Sequence, residues 1–207
     1  MAKQFQLALK RLFDITVALA ALITLAPVIA VIAIAIKRDN GGPVFFVQAR
    51  VGKEGKPFQC IKFRTMIVNA DKIGAGLEIV KDDERITRVG RVLRRWTLDE
   101  IPQLFNVLKG EMSIVGPRPT VMSQVARYTP EQRRRLEMKP GMAGWAWIHG
   151  RNIIPWTKRI ELDVWYVQHW SLWLDMNILF KAFRLLLRHE GVYSADGVVR
   201  DLEQTNG

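Results

Sequence analysis

Apolar and polar positions divide this chain into stretches of different character. From Ile15 to Ile36 there are 22 consecutive uncharged residues, apolar apart from Thr16, Thr24 and Pro27. A continuous helix of that length, rising about 1.5 Å per residue, covers roughly 33 Å and would cross a bilayer core of about 30 Å. Residues 44–51 (VFFVQARV) and 57–63 (PFQCIKF) are β-branched and aromatic runs flanking Lys53-Glu54-Gly55-Lys56, which predicts a β-hairpin. After Met66 the pattern turns helical. Arg85, Arg88, Arg91 and Arg95 recur at near-helical spacing opposite Ile86, Val89, Val92, Leu93 and Trp96, predicting an amphipathic helix with a basic face.

Further elements follow in order. A helix is expected from about Glu100 to Lys109, stopped by Gly110, and 111–119 reads as a loop. Thr129-Pro130 opens a short helix, with threonine as N-cap and proline in the first helical position. The glycines of Lys139–Asn152 (KPGMAGWAWIHGRN) suggest a loop. Two helical stretches, about 155–170 and 172–190, close the sequence. The second, with Trp165, Trp170 and Trp173 nearby, has either the aromatic and basic make-up of an interfacial helix or that of a tryptophan-packed core helix. The fold class is α+β. We expect a membrane helix over 1–40 continuous with a catalytic domain over 41–190, and a short tail over 191–207.

Two features decide how the apolar run meets the bilayer. Basic residues flank it on both sides, Lys3, Lys10 and Arg11 before and Lys37 and Arg38 after, and the positive-inside preference puts both flanks on the cytoplasmic side. Pro27 sits mid-run, where it removes a helical hydrogen bond, and Thr24 could satisfy a freed backbone group. Both favour a re-entrant helix-break-helix over a kinked spanning helix. A cleaved signal peptide, with Ala33-Ile34-Ala35 as its cleavage site, is disfavoured because its apolar region would exceed the usual 7–15 residues.

Charge and composition narrow the chemistry. With 31 Lys and Arg against 20 Asp and Glu the net charge is +11, which calls for polyanionic partners: nucleic acid, anionic lipid or phosphorylated small molecules. Cys60 is the one cysteine, so no internal disulfide can form. The three histidines are scattered without zinc spacing, leaving a hard, oxygen-bound ion such as Mg²⁺ as the metal to expect.

The densest chemistry lies between Arg85 and Pro119. Asp99 and Glu100 follow five arginines and precede the stiff Gly116-Pro117-Arg118-Pro119 turn. The pair fits helix capping, with Thr97 as N-cap and Glu100 reaching back, or with Asp99 itself as N-cap. It equally fits a metal site or a nucleophile at a helix N-terminus. The arginines of 85–95 could form a solvated face, a lipid contact or a phosphate clamp. Lys62 and Arg64 at the end of the second strand, and Arg118, suit rigid phosphate binding.

In order, KRLFD (10–14), the proline-broken run, GGPVFFVQARVG (41–52), KFRTM (62–66), RITRVGRVLRRWTLDEIPQLFNVLKGEMSIVGPRP, KPGMAGWAWIHGRN and LDVWYVQHWS (162–171) resemble the monotopic polyprenol-phosphate phosphoglycosyl transferases. The likeness extends from about Lys10 to Arg188. It implies transfer of a sugar-1-phosphate from a UDP-sugar to undecaprenyl phosphate, with release of UMP, as the first membrane step of glycan assembly. It further implies Asp99 as nucleophile forming a phosphosugar intermediate, Glu100 as its partner in holding Mg²⁺, and Lys62, Arg64, Arg94 and Arg118 as phosphate or nucleotide contacts, with Arg151 and Asp163 in support. A re-entrant helix broken at Pro27, on the cytoplasmic face of the bacterial inner membrane, belongs to the same picture, as do membrane lipid contacts, room for a homodimer and no nucleic-acid partner. Three residues depart from the family pattern: Ala26 where serine is frequent, and Trp147 and His149 where glutamine and asparagine are common. The competing class is a non-catalytic, membrane-tethered binder of nucleic acid or anionic lipid, which the basic faces suit but the Asp99-Glu100 pair does not require.

Overall fold

A computed structural model describes residues 2–70, 83–150 and 154–188. Arg151, the tail over 191–207 and the stretch 71–82 of the helical region expected after Met66 lie outside the described residues. The first element, α1 (Ala2–Asn40), is 39 residues long and contains Pro27. It is long and apolar enough to cross a membrane.

The helix assignment is uninterrupted, which differs from the helix-break-helix expected at Pro27. A proline forfeits one hydrogen bond, here to the Ile23 carbonyl four residues back, and later turns can resume after a bend. The Thr24 hydroxyl donates to the carbonyls of Ala20 (2.9 Å) and Ala21 (3.2 Å), so it serves the preceding turn rather than the carbonyl that Pro27 frees.

One stripe of α1 faces the rest of the protein. Lys10, Asp14, Ala18, Ile32 and Ile36 are buried, whereas Leu19, Ile23, Val28, Val31 and Ile34 are exposed. An apolar surface of that extent has no reason to face water.

Strands β1 (Phe45–Val51) and β2 (Pro57–Phe63) pair antiparallel, Phe45 opposite Phe63 and Val51 opposite Pro57, through a turn at Lys53–Gly55. The expected hairpin is therefore present. Helix α2 (Arg88–Arg95) is capped by the Thr87 side chain, which accepts from Gly90 N. Starting there, it is shorter than the arginine pattern suggested. Arg85 lies ahead of it, buried and paired with Asp83 at 2.6 Å. Only Gly90 and Leu93 of α2 are buried, and Val92 and Trp96, expected on the inner side, are exposed beside Arg88, Arg91 and Arg95. An eight-residue helix has room for little more than one inward turn, so these apolar groups join the arginines on the outer surface.

A 3-10 turn (Leu98–Glu100) leads into α3 (Gln103–Lys109), which ends at Gly110 with φ 85°. This left-handed stop is the one the sequence anticipated. Asn106, wholly buried on α3, fastens the helix to β2: its Oδ1 accepts from Ile61 N at 3.0 Å and its Nδ2 donates to Gln59 O at 2.7 Å.

Strand β3 (Ser113–Val115) pairs in parallel with β4 (Gly141–Ala143), so the stretch read as a loop from Lys139 contains a strand and then a helical turn. Where the two strands diverge the backbones almost touch. A Cβ on Gly141 would lie 2.0 Å from Gly116 N, and one on Gly116 would lie 2.4 Å from Lys139 O.

Short helices α4 (Met122–Val125), α5 (Pro130–Arg133) and α6 (Trp145–Ile148) precede α7 (Trp156–Gln168) and α8 (Leu172–Arg188). Thr129 and Gln132 form a full capping box at α5, in keeping with the Thr-Pro signal. One main core joins α1, the hairpin, α3, β3, α7 and α8 through Ala18, Ile36, Phe63, Val107, Val115, Tyr166 and Ile178.

Candidate active site

The hairpin and the turn before α3 converge on the acidic pair. Lys62, near the end of β2, reaches Glu100 at 2.7 Å, and Arg118, from the proline-stiffened turn after β3, reaches the same Oε1 at 3.2 Å. Glu100 is 8% exposed. Burial opposes its ionisation, but Lys62 and Arg118 outweigh that and bring its pKa down to about 2. Arg118 in turn is held above its ordinary range by Glu100.

Asp99 stands in contrast. It makes no hydrogen bond or ion pair with any described residue, although the charges of Lys62, Glu100, Arg94 and Arg118 all act on it. Burial, reinforced by the Glu100 charge, raises its pKa against the pull of the cations. Two adjacent carboxylates are thus driven apart: Glu100 firmly ionised, Asp99 left with its lone pairs unspent.

Neither capping arrangement is realised. Thr97 occupies the left-handed region (φ 57°, ψ 22°) and makes no side-chain cap, and Pro102 precedes α3 without one. For a β-branched residue that conformation is a real outlier, of the kind that costs about 1–3 kcal/mol and collects at functional sites. The left-handed Thr97 starts a tight 3-10 turn, so the carboxylates face Lys62 and Arg118 rather than the helix N-terminus.

Of the other residues singled out from sequence, Arg94 stays within electrostatic reach of Asp99, whereas Arg64 and Asp163 are engaged elsewhere. Arg94 donates through Nε to Thr65 Oγ1 at 2.8 Å. It can lie there because Gly90 packs α2 directly on the strand end, where a Cβ would be 2.0 Å from Thr65 O. Arg64 turns away to Asn40 at the end of α1, with its Nε and Nη1 unpaired among the described residues. Asp163 is 1% exposed and binds Arg135, whose Nη2 also donates to Arg118 O at 3.0 Å. It therefore lies behind Arg118 rather than against the acidic pair.

Arg135 and Arg159 were missed. Nothing in the run Arg133–Arg135 marks the third arginine as the buried one, and Arg159 sits on an unremarkable helical stretch. Lys10 was expected only as a basic flank of the membrane run and Asp14 had no expected role, though charges beside a membrane run are a usable signal. Lys10 donates to Asp175 (2.6 Å) and Val115 O (2.8 Å), while Asp14 accepts from Ser113 Oγ (3.0 Å) and Ile114 N (2.9 Å).

An acidic pair set among cations, on a domain carrying a helix of bilayer length, has the make-up of a membrane-associated enzyme acting on phosphorylated substrates. The chain belongs to the bacterial sugar transferase family, whose sequence profile matches residues 5–189, and it is a transferase. It is 46% identical over 193 residues to the uncharacterized sugar transferase EpsL of Bacillus subtilis, covering 93% of this chain and 94% of that protein. It is 42% identical to the undecaprenyl-phosphate galactose phosphotransferase of Salmonella typhimurium and 40% identical to the undecaprenyl-phosphate glucose phosphotransferase of Komagataeibacter xylinus. Those alignments cover 93% and 84% of this chain but only 43% and 35% of the relatives' lengths. The chain thus spans nearly all of one relative and less than half of the other two.

Proposed function

We propose that this protein transfers a sugar-1-phosphate from a UDP-sugar to undecaprenyl phosphate, through a covalent intermediate on Asp99, at the cytoplasmic face of the bacterial inner membrane. The acceptor is the one named for the Salmonella and Komagataeibacter relatives. The observation that carries the reading is the unspent carboxylate of Asp99 beside a Glu100 already committed to Lys62 and Arg118.

In the first half-reaction an Asp99 oxygen attacks the sugar-bearing phosphorus. The bond from that phosphorus to the bridging oxygen breaks, and its electron pair leaves on UMP. In the second, an oxygen of the lipid phosphate attacks the same phosphorus and Asp99 leaves as a carboxylate. Lys62, Arg118 and Arg94 offset the negative charge that would otherwise repel an anionic nucleophile. The hydrogen bonds of Glu100 keep Lys62 and Arg118 in place.

Asp99 and Glu100 supply two hard oxygen donors, a set that suits Mg²⁺ when substrate phosphates and water complete its coordination. They would hold the ion, and when bound it would neutralise diphosphate charge.

A re-entrant course for α1 is part of this reading. Arg11 bonds the carbonyls of Val107 and Leu108 near one end of the helix, and Asp39 accepts from Val89 N near the other. A straight helix from Lys10 to Asn40 would extend about 45 Å. A bend at Pro27 would bring these two docked ends closer together. The exposed Trp96, Trp173, Phe180 and Phe183 suit an interfacial resting place. A binder without catalysis gains nothing from the acidic pair and does not account for the family membership.

The test is UMP release by purified protein in nanodiscs with undecaprenyl phosphate, Mg²⁺ and a panel of UDP-sugars. Release dependent on the lipid, together with a sugar-phosphate adduct on Asp99 in its absence, is the expected result. Turnover that survives Asp99→Asn would refute the covalent route.

A further inference from the structure

Arg118 also lines a shallow pocket of about 20 Å³, widening to about 420 Å³ with the solvent at its mouth, together with Arg135, Trp147, Trp156, Arg159 and Asp163 among others. Its charges are unevenly matched. Arg118 is paired with Glu100, and Arg135 with Asp163. Arg159, though only 8% exposed, has no ion pair with a described residue. Its Nε donates to Ile154 O at 3.2 Å, and its guanidinium lies 5.3 Å from the centre of the Trp156 ring. Burial, with the charges of Arg118 and Arg135, lowers its pKa to about 10.

Among the described residues the opposing charge that acts on Arg159 is that of Asp163, which is already bound to Arg135; a buried guanidinium so partly compensated is costly and suits an anion supplied from outside. Two other groups in the pocket are unsatisfied by the described residues: Asp163 Oδ1 and Trp156 Nε1 are buried without a partner among them. They offer an acceptor and a donor within a pocket walled by two indole rings. A cation, an acceptor, a donor and flat aromatic faces together match a nucleoside monophosphate better than a lipid phosphate, which brings no ring and no hydrogen-bonding base.

We propose that this pocket receives the nucleoside monophosphate half of the donor and that Arg159 binds the leaving phosphate. The inference rests on the transfer reaction proposed above. When Asp99 attacks, the phosphorus–oxygen bond to the nucleotide breaks and its electron pair goes to the departing phosphate, which gains one negative charge. Among the described residues Arg159, Arg118 and Arg135 line the pocket, so their attraction strengthens as the bond breaks. No proton or co-reactant is required.

The experiment uses the full chain in nanodiscs with Arg159→Gln and Arg159→Lys, each shown by thermal melting to be folded. UMP, uridine and inorganic phosphate are titrated as ligands, and KM is measured separately for UDP-sugar and undecaprenyl phosphate. Losing a charge-assisted hydrogen bond should weaken UMP by roughly 10- to 100-fold in Arg159→Gln. Uridine affinity and the KM for the lipid should change less than about twofold on the same reasoning, and Arg159→Lys should recover part of the loss.

Unchanged UMP affinity in an active, folded Arg159→Gln protein overturns the proposal. So does an equal loss for uridine, which would make Arg159 a base contact, or a shift confined to the lipid KM, which would make it an acceptor contact. A weakened UDP-sugar KM with intact UMP binding assigns the pocket to the sugar and overturns it too. A wild-type protein that neither releases UMP nor binds it removes the parent reading, and this one with it. That failure is distinct because it shows before any variant is made.

Discussion

Two clusters of buried charge in this protein use the same parts for opposite ends. At the root of α1, Asp175 receives Lys10 at 2.6 Å, the Tyr166 hydroxyl at 2.7 Å and Trp170 Nε1 at 3.1 Å, and Lys10 also caps the Val115 carbonyl. That cluster is closed, and the acid is 2% exposed. In the acidic pair, Glu100 is equally committed, but Asp99 is not, and the cations remain reachable: the side chains of Lys62 and Arg118 are 24% and 40% exposed. The difference shows what separates a joint from a reactive centre. A satisfied buried ion pair locks two elements together, whereas a carboxylate left unsatisfied beside fixed cations retains free energy that a substrate can use.

The contrast can be broken most severely at Asp99. Asp99→Asn should lower turnover by about 10⁴-fold or more, as for other nucleophiles removed from a working unit. Because burial raises the Asp99 pKa, its ionised form costs stability at neutral pH, and the variant should melt no lower than wild type and somewhat higher if anything. A drop in both turnover and melting temperature would show Asp99 to be a joint after all.

At the other cluster the effects should reverse. Asp175→Ala strands Lys10 in the interior and should cost about 3–5 kcal/mol of stability, read from denaturant unfolding, while UMP release per folded molecule falls less than about threefold, as expected when no reacting group is touched. A large kinetic effect without destabilisation would join the two clusters functionally.

Glu100 permits a sharper test through pH. Its folded pKa of about 2 lies below its ordinary 4.5. It therefore contributes stability above about pH 4.5 that is lost as pH falls through about 2. Integrated over that interval the contribution is about 3 kcal/mol at most, and the neighbouring Asp99, shifted the other way, offsets part of it. Glu100→Gln should flatten the acid limb of stability against wild type, measured by unfolding at stepped pH. An identical limb in the variant would mean that Lys62 and Arg118 do not hold Glu100 as described.

The smallest effect concerns the outer surface. Trp96→Ala or Trp173→Ala should each weaken binding to anionic vesicles by a few-fold, on the order of 1 kcal/mol, with little change in melting temperature. Co-sedimentation with vesicles of graded anionic content measures it, and an unchanged partition for both variants would take these residues out of the interface.

Much of the scaffold was legible because short-range chemistry decides it. The hairpin follows from two β-forming runs around Lys53–Lys56, the end of α3 from Gly110, and the start of α5 from Thr129, Pro130 and Gln132. The amphipathic helix was legible only in part. Its arginines were found, but Arg85 belongs to Asp83, and Val92 and Trp96 point outward, since periodicity alone does not say where a helix begins or whether its apolar side meets protein or lipid. The site was legible as a set of residue types. That Glu100 sets its Oε1 against Lys62, 38 residues away, and Arg118, 18 residues away, was beyond reach from spacing.

The sequence by itself determined the long apolar helix with basic flanks, the elements bounded by glycine, proline and capping residues, and the family to which the chain belongs. Each of these is a matter of composition or of neighbours within a few residues. Only the tertiary structure decided that Asp99 stays unpaired among the described residues while Glu100 is locked, that Arg135 and Arg159 are buried while Arg91 is not, and that Lys10 is a joint to Asp175 rather than a simple membrane flank. The physical reason is that burial and partner distance set a charged group's state, and both depend on elements far apart in the chain meeting in one place.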